Sequence, residues 1–85
     1  MPAPTTVTVL LFARYAELSG ADRLEVPVAP GADVRAVLQR LREVLPGAGA
    51  IPDLPLCAVN HRQAGLADAV EPGDEVAFLP PLAGG

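Results

Sequence analysis

The end of the chain is the part of the sequence with the clearest chemical potential. The pair Gly84-Gly85 has no Cβ atoms, so a narrow channel could admit this backbone and reach the terminal carboxylate. The pair Pro80-Pro81 comes shortly before it and favours an extended, polyproline-like exit. If extended at about 3.3 Å per residue, residues 80–85 would project by roughly 20 Å. The pattern predicts a folded domain, residues 1–79, that holds out a flexible C-terminal tail, residues 80–85.

A terminal carboxylate needs activation before it can react. Its pKa of about 3.5 leaves it anionic at pH 7, so an attacking nucleophile meets a like charge. Conversion to a mixed anhydride removes this obstacle, and that step requires ATP and a separate enzyme. Gly-Gly suits such chemistry because no side chain crowds the carbonyl group.

Other residues of types that often act in catalysis are weaker candidates for a reactive group. His61 is the single histidine and falls in a predicted turn, so a solvated side chain is expected. Cys57 lies in an apolar strand and is expected to be a buried structural thiol. Asp74 and Glu75 are adjacent, so in a strand they would face opposite sides and could not act as a carboxylate pair. The folded body is therefore expected to have no active site of its own.

Composition narrows the classes of partner. The net charge is −4, and all six cationic residues are arginine, with no lysine. An acidic chain with few cations argues against nucleic acid and suits docking on basic protein surfaces. One cysteine excludes an internal disulfide and a multi-cysteine metal site. We see no signal peptide and no apolar run long enough for a membrane span, so we expect a cytoplasmic protein.

Hydrophobic periodicity predicts the elements that must position the tail. Residues 6–13 are apolar on both faces, as is typical of a central strand. Pro27 has no backbone N–H to donate, so residues 23–28 are expected to form an edge strand. Asp33 is a good N-cap for the one long amphipathic helix. The predicted strands are 6–13, 23–28, 56–59 and 75–79, and the predicted helices are 14–19, with Gly20 as C-cap, and 34–45.

The segments between these elements carry turn and loop residues. Three are assigned from glycine, proline and polar residues: a loop over 47–55, a turn over 60–63 and a turn over 71–74. Residues 66–70 fit either a helical turn or a short bridge.

The order of the elements predicts an α+β fold. The first and last strands are both apolar on two faces, so they should lie side by side at the centre of the sheet. A connection of about fifty residues between them favours parallel pairing. We therefore expect the β-grasp (ubiquitin-like) arrangement, a mixed sheet with one main helix, from which the tail leaves at the end of a central strand.

Three segments make the sequence resemble a known family. Residues 73–85 (GDEVAFLPPLAGG) are similar to the C-terminal sequence of the MoaD-like small subunits of molybdopterin synthase, which belong to the MoaD/ThiS ubiquitin-like sulfur carriers. Residues 11–20 (LFARYAELSG) resemble the first strand and short helix of that family, and Val59-Asn60 resembles the end of its middle strand. The chain departs from the family pattern at Ala64 and in a proline-rich loop after the long helix.

The resemblance implies a carrier cycle in molybdenum cofactor biosynthesis. The Gly85 carboxylate would be adenylated by an E1-like (MoeB-like) enzyme that uses ATP, and converted to a thiocarboxylate with sulfur from a sulfurtransferase. The tail would enter the large synthase subunit (MoaE-like) and donate sulfur to a cyclic pyranopterin precursor. Gly85 would carry the reactive group and Gly84 would give access, while Pro80, Pro81, Leu82 and Ala83 would line the tunnel. The chain would bind no cofactor or metal itself, and the catalytic side chains would belong to the partners.

Three alternatives remain. The chain could carry sulfur for another pathway, such as thiamine thiazole synthesis. It could be a ubiquitin-like protein modifier; without lysine it could be attached to other proteins but not extended through its own side chains. It could also be a plain β-grasp interaction module with an accidental Gly-Gly.

The strand pattern also predicts a docking surface. Val7, Val9 and Leu11 should face the long helix, which leaves apolar residues on the opposite face without a covering layer. An uncovered apolar patch on a small protein often marks an interface. The predicted interface residues are Leu10, Phe12, Ala77 and Leu79, with Phe12 and Leu79 as anchors.

Overall fold

The computed structural model describes residues 5–81, which form a five-stranded mixed sheet with helices on one face. The strands are β1 (Thr5–Leu11), β2 (Arg23–Val28), β3 (Leu56–Val59), β4 (Arg62–Ala64) and β5 (Glu75–Leu79). The helices are α1 (Arg14–Ser19) and α2 (Val34–Val44), and a 3₁₀ turn (Pro46–Ala50) follows α2.

The strand order is β2-β1-β5-β3-β4, so β5 is the middle strand. It runs parallel to β1, with Val9 opposite Val76 and Leu11 opposite Phe78. The predicted central pair of first and last strands is therefore confirmed, as is the edge position of β2, which contains Pro27. The tail is thus joined to the middle strand of the sheet.

The two faces of the sheet differ in burial, as the alternation predicted. Val7, Val9 and Phe78 are fully buried beneath α2, whose own buried residues include Val37 and Leu41. The residues between them in β1 and β5 are only partly buried. One face of the sheet therefore forms the core, and the other, here called the open face, has no covering layer among residues 5–81.

Both helices begin and end close to the predicted residues. Gly20 caps α1 in the left-handed conformation, with φ of 76°. The Ala36 N–H donates to Asp33 Oδ1 at 2.9 Å, so the predicted N-cap of α2 is confirmed. The helix ends at Val44, one residue earlier than predicted, and Val44 is exposed.

Two connecting segments differ from the prediction. The predicted loop over 47–55 overlaps the 3₁₀ turn, in which Gly47 packs against the backbone of α1. The predicted turn over 60–63 is confined to Asn60 and His61, and β4 begins directly after it. Both turn residues have positive φ, 51° and 71°, as a two-residue hairpin requires. The strand was missed because Arg62-Gln63-Ala64 has neither β-branched nor aromatic residues.

Candidate docking surface and tail exit

The tail leaves from the middle of the sheet. β5 ends at Leu79, Pro80 is partly buried and Pro81 is exposed. Leu82, Ala83, Gly84 and Gly85 lie outside the described residues, so the roles predicted for them stay predictions. The domain boundary after residue 79 likewise stays a prediction.

The four predicted interface residues come together on the open face. Leu10 lies opposite Ala77 in the parallel ladder, and Leu79 follows on the same side of β5. Phe12 comes one residue after the end of β1 and is 44% exposed. Together they line one shallow cavity of about 200 Å³. We call Leu10, Phe12, Ala77 and Leu79 the open-face patch.

A bend at Ala13 separates the patch from the core. Ala13 has φ of 50°, an uncommon conformation for a residue with a Cβ. The chain then enters α1, where Tyr15 is only 4% exposed. This bend allows Phe12 to stay on the open face while the aromatic ring three residues later is buried in the core.

The sequence did not predict that the patch continues onto β3. Ala58 lies opposite Ala77 and Leu56 lies opposite Leu79 in the antiparallel ladder. Leu56 is 48% exposed, and a second cavity of about 330 Å³ lies here. Alternation along β3 indicates that Leu56 and Ala58 share a face, but nothing in the sequence shows that β3 pairs with β5.

Charged residues border the patch at the start of β5. Glu75 lies between Arg23, with Nη1 3.6 Å from Oε2, and His61, with Nε2 3.5 Å from Oε1. The His61 side chain is 84% exposed, which confirms the prediction of a solvated turn residue. Exposed pairs of this kind contribute little to stability. The Arg23 and His61 side chains are both largely exposed, so a partner could contact them.

Cys57 is the buried thiol that the sequence predicts. It is 3% exposed, and its Sγ–H donates to the Ala64 carbonyl oxygen at 3.1 Å. Burial, and secondarily the negative charge of Asp68, raises the pKa of the Cys57 thiol above its ordinary value. The protonated thiol is a poor nucleophile, so Cys57 is not a candidate for catalysis.

Asp74 holds a turn together. Its Oδ1 accepts a hydrogen bond from Asn60 Nδ2 at 2.9 Å, and its Oδ2 accepts one from the Glu71 N–H at 2.8 Å. The Glu75 N–H in turn donates to Asn60 Oδ1 at 2.9 Å. This network joins the β3–β4 hairpin to the turn before β5 and agrees with the predicted structural role.

Two features are absent from residues 5–81. No group of three or more histidine, cysteine, aspartate or glutamate side chains there is placed to hold a metal ion. No helix in the same part of the chain has the length and apolar character needed to cross a membrane.

Comparison with known proteins shows a family match and several similar proteins. The sequence model of the ThiS family matches residues 9–85. The molybdopterin synthase sulfur carrier subunit of Haemophilus influenzae is 35% identical over 85 residues, covering 93% of this chain and 99% of that protein. The subunit of the same name from Arabidopsis thaliana is 30% identical over 79 residues, covering 93% and 82%.

The fold is similar to that of a solved archaeal protein. The crystal structure of SAMP1, a small archaeal modifier protein from Haloferax volcanii, superposes with a TM-score of 0.82 at 31% identity. The match covers 94% of this chain and 99% of SAMP1.

Proposed function

Because the chain belongs to the ThiS family, we propose that it is the sulfur carrier subunit of a molybdopterin synthase. One observation carries the proposal: the likeness to sulfur carrier subunits of molybdopterin synthase extends over 93% of the chain. The predicted β-grasp fold, with the Gly-Gly sequence following the middle strand, supports the same function.

The reactive group in this proposal is the carboxylate of Gly85. An E1-like enzyme joins it to AMP from ATP, which makes the carbonyl carbon electrophilic. The outer sulfur of a persulfide on a sulfurtransferase then displaces AMP, and a second thiol reduces the resulting acyl disulfide to a thiocarboxylate. We place these steps in the cytoplasm, where the activating enzyme and ATP are expected.

Sulfur donation takes place on the large synthase subunit. There the thiocarboxylate transfers sulfur to a cyclic pyranopterin precursor. Gly84 and Gly85 let the terminus enter a narrow channel, and residues 80–83 line that channel. The partner supplies the catalytic side chains, in keeping with the burial of the Cys57 thiol in this chain.

The open-face patch is the proposed docking site for these partners. Its apolar residues lie next to the strand from which the tail leaves, so a protein that binds there is placed to receive the terminus. Partly exposed apolar groups beside a polar rim are typical of protein interfaces. Phe12 and Leu79 are the proposed anchors.

A second candidate function is modification of other proteins. The likeness to SAMP1, at a TM-score of 0.82, favours it. In that case the activated Gly85 would form isopeptide bonds with lysines of target proteins. A sulfur carrier for thiamine or another sulfur metabolite is a further variant of the first proposal.

Intact-mass spectrometry of the protein from its native cell tests the proposal. Replacement of one oxygen by sulfur at the terminus adds about 16 Da, and fragmentation must place that mass on Gly85 to exclude simple oxidation. Gly85 linked to lysines of other proteins, without a thiocarboxylate, would favour the modifier function instead.

A reconstitution gives an independent test. One extra residue after Gly85 displaces the carboxylate by about 3.3 Å, whereas reacting atoms must lie within about 3–3.5 Å. Sulfur transfer with purified activating enzyme and large subunit should therefore be abolished, while the fold is unaffected. Full activity of the uncleaved, extended protein would refute the carrier function.

A further inference from the structure

We propose that residues 52–56, here called the proline loop, are a second contact element for the protein that acts on Gly85. The proposal rests on the proposed function, since it takes Gly85 as the reactive end. The occupant we infer is an apolar protein surface beside the channel that receives the tail.

The strand register places the proline loop at the tail exit. Leu56 is the first residue of β3 and lies opposite Leu79, the last residue of β5. Opposite residues in an antiparallel ladder have Cα atoms about 4.5–5.5 Å apart. The loop therefore ends beside the point where the chain leaves the sheet.

The short tail requires any partner to approach this edge. Four residues separate Pro81 from the carboxylate of Gly85, and even fully extended they span at most about 13–14 Å. A protein whose active site holds Gly85 must therefore lie within about that distance of Pro81. Leu56 lies opposite Leu79 at this edge of the sheet, so a partner that approaches the tail exit from the side of β3 comes next to the loop.

The loop presents apolar groups to this approach. Leu54 is 84% exposed and Leu56 is 48% exposed. The cavity of about 330 Å³ beside them is lined by Leu56, Ala58 and Leu79, together with Gln63 and Cys57. No cationic side chain lines this cavity, so its chemistry fits apolar side chains rather than an anion.

The loop is held in place before any partner binds. Ile51, which precedes it, is 1% exposed. Arg42 of α2 reaches the loop from the helical layer: its Nη1 lies 3.0 Å from Asp53 Oδ1, and its Nη2 donates to the Ile51 carbonyl oxygen. Pro52 and Pro55 fix φ at two further positions. A loop so restrained loses little conformational entropy when Leu54 is bound.

A matched control lies on α1, outside both the proline loop and the open-face patch. Leu18 is 54% exposed, close to the value for Leu56, but it belongs to α1, which packs against the 3₁₀ turn. Replacement of Leu18 by aspartate adds the same charge to an equally exposed leucine. It therefore controls for any general effect of charge on association.

The test is calorimetric titration of full-length variants against two purified proteins from the same genome, the molybdopterin synthase large subunit and the activating enzyme. We expect Leu54→Asp and Leu56→Asp each to weaken binding to at least one of them by about tenfold or more, a change of about 1.4 kcal/mol. Leu18→Asp should stay within about twofold of the parent, a difference well under 1.4 kcal/mol. Melting curves of the free variants establish that they fold. Leu54 is more exposed than Leu56, so Leu54→Asp is expected to disturb folding less than Leu56→Asp.

Each other outcome overturns the proposal. If Leu54→Asp and Leu56→Asp bind both proteins as Leu18→Asp does, while Phe12→Asp still weakens binding, the proline loop is not a contact element and the proposed function stands. If the parent chain binds neither protein, the proposed function fails as well. If the free chain sediments as a dimer that Leu56→Asp dissociates, the loop is a contact between two copies of this chain.

Discussion

At the scale of single residues, the chemistry divides between a terminus that is to react and side chains that are kept from reacting. Gly85 is proposed to carry the transferred sulfur, whereas Cys57, the chain's one thiol, is buried and hydrogen-bonded. A carrier needs this division, because an internal nucleophile near an activated carboxylate could capture it. The reactive terminus and the unreactive thiol can be tested separately.

Substitution of either terminal glycine by alanine should reduce adenylation and sulfur transfer. A Cβ would collide with a channel shaped for glycine, while an exposed terminus contributes almost nothing to folding. Adenylate formation and sulfur transfer should fall in Gly84→Ala and Gly85→Ala, and the melting temperature should stay within about 2 °C of the parent. A parallel loss of stability and activity would show instead that the tail packs on its own domain.

Cys57 should make stability fall at alkaline pH. Because burial raises the pKa of the thiol in the folded state, its contribution is fully present below the ordinary thiol value of 9.0 and is lost as pH rises through the folded value. The free energy of unfolding should therefore decline by up to about 1.4 kcal/mol per pH unit in that range, beyond any decline in Cys57→Ala. Urea unfolding at about five pH values between pH 8 and 11 measures the pH dependence of the free energy of unfolding for the parent and for Cys57→Ala. Equal slopes for the two proteins would contradict the prediction.

At the scale of elements, the short helix α1 and the 3₁₀ turn can pack closely together because residue 47 is glycine. A Cβ on Gly47 would lie 2.3 Å from the Leu18 carbonyl oxygen and 2.4 Å from Ser19 Cα, which are backbone atoms that cannot move aside easily. A Cβ on Gly49, in the same turn, would meet no atom within 4 Å. The two glycines thus provide a matched pair.

Gly47→Ala should lower the free energy of unfolding by about 2 kcal/mol or more, because α1 and the turn must separate. Gly49→Ala should leave it unchanged or raise it by up to about 1 kcal/mol. Urea unfolding of both variants measures the difference. Similar values for the two variants would mean that the contact between α1 and the turn is not tight.

At the scale of the whole molecule, one face of the sheet serves folding and the other is left for partners. Val7, Val9 and Phe78 are buried on the core face, whereas Leu10 and Phe12 line a cavity on the open face. Substitutions on the open face should therefore affect association more than folding.

Phe12→Asp and Leu79→Asp should each weaken association with the large subunit by about 2 kcal/mol or more, as loss of a buried apolar anchor does. Val44→Asp is the matched control for Phe12, because both side chains are 44% exposed and Val44 lies on α2. Calorimetric titration measures the affinities. Unchanged affinity, or collapse of the free domain's melting transition in Phe12→Asp, would rule this interface out.

Four of the five strands, both α-helices and the two faces of β1 and β5 could be predicted from the amino-acid sequence. Alternation along β1 and β5 predicted both the core face and the open-face patch, since side chains in a strand alternate with a period of two. Gly20, Asp33 and Pro27 marked the cap of α1, the start of α2 and the edge strand through local backbone preferences. Such features depend on a few neighbouring residues, so a single sequence reveals them.

Which strands and loops lie beside the tail exit became known only from the tertiary structure. The pairing of β3 with β5 brings Leu56 opposite Leu79 and adds Ala58 to the patch. β4 forms because the hairpin at Asn60 and His61 places it against β3, although its own residues have low strand propensity. Contacts between residues far apart in sequence leave no periodic pattern, so the extent of the docking surface could not be predicted from the sequence.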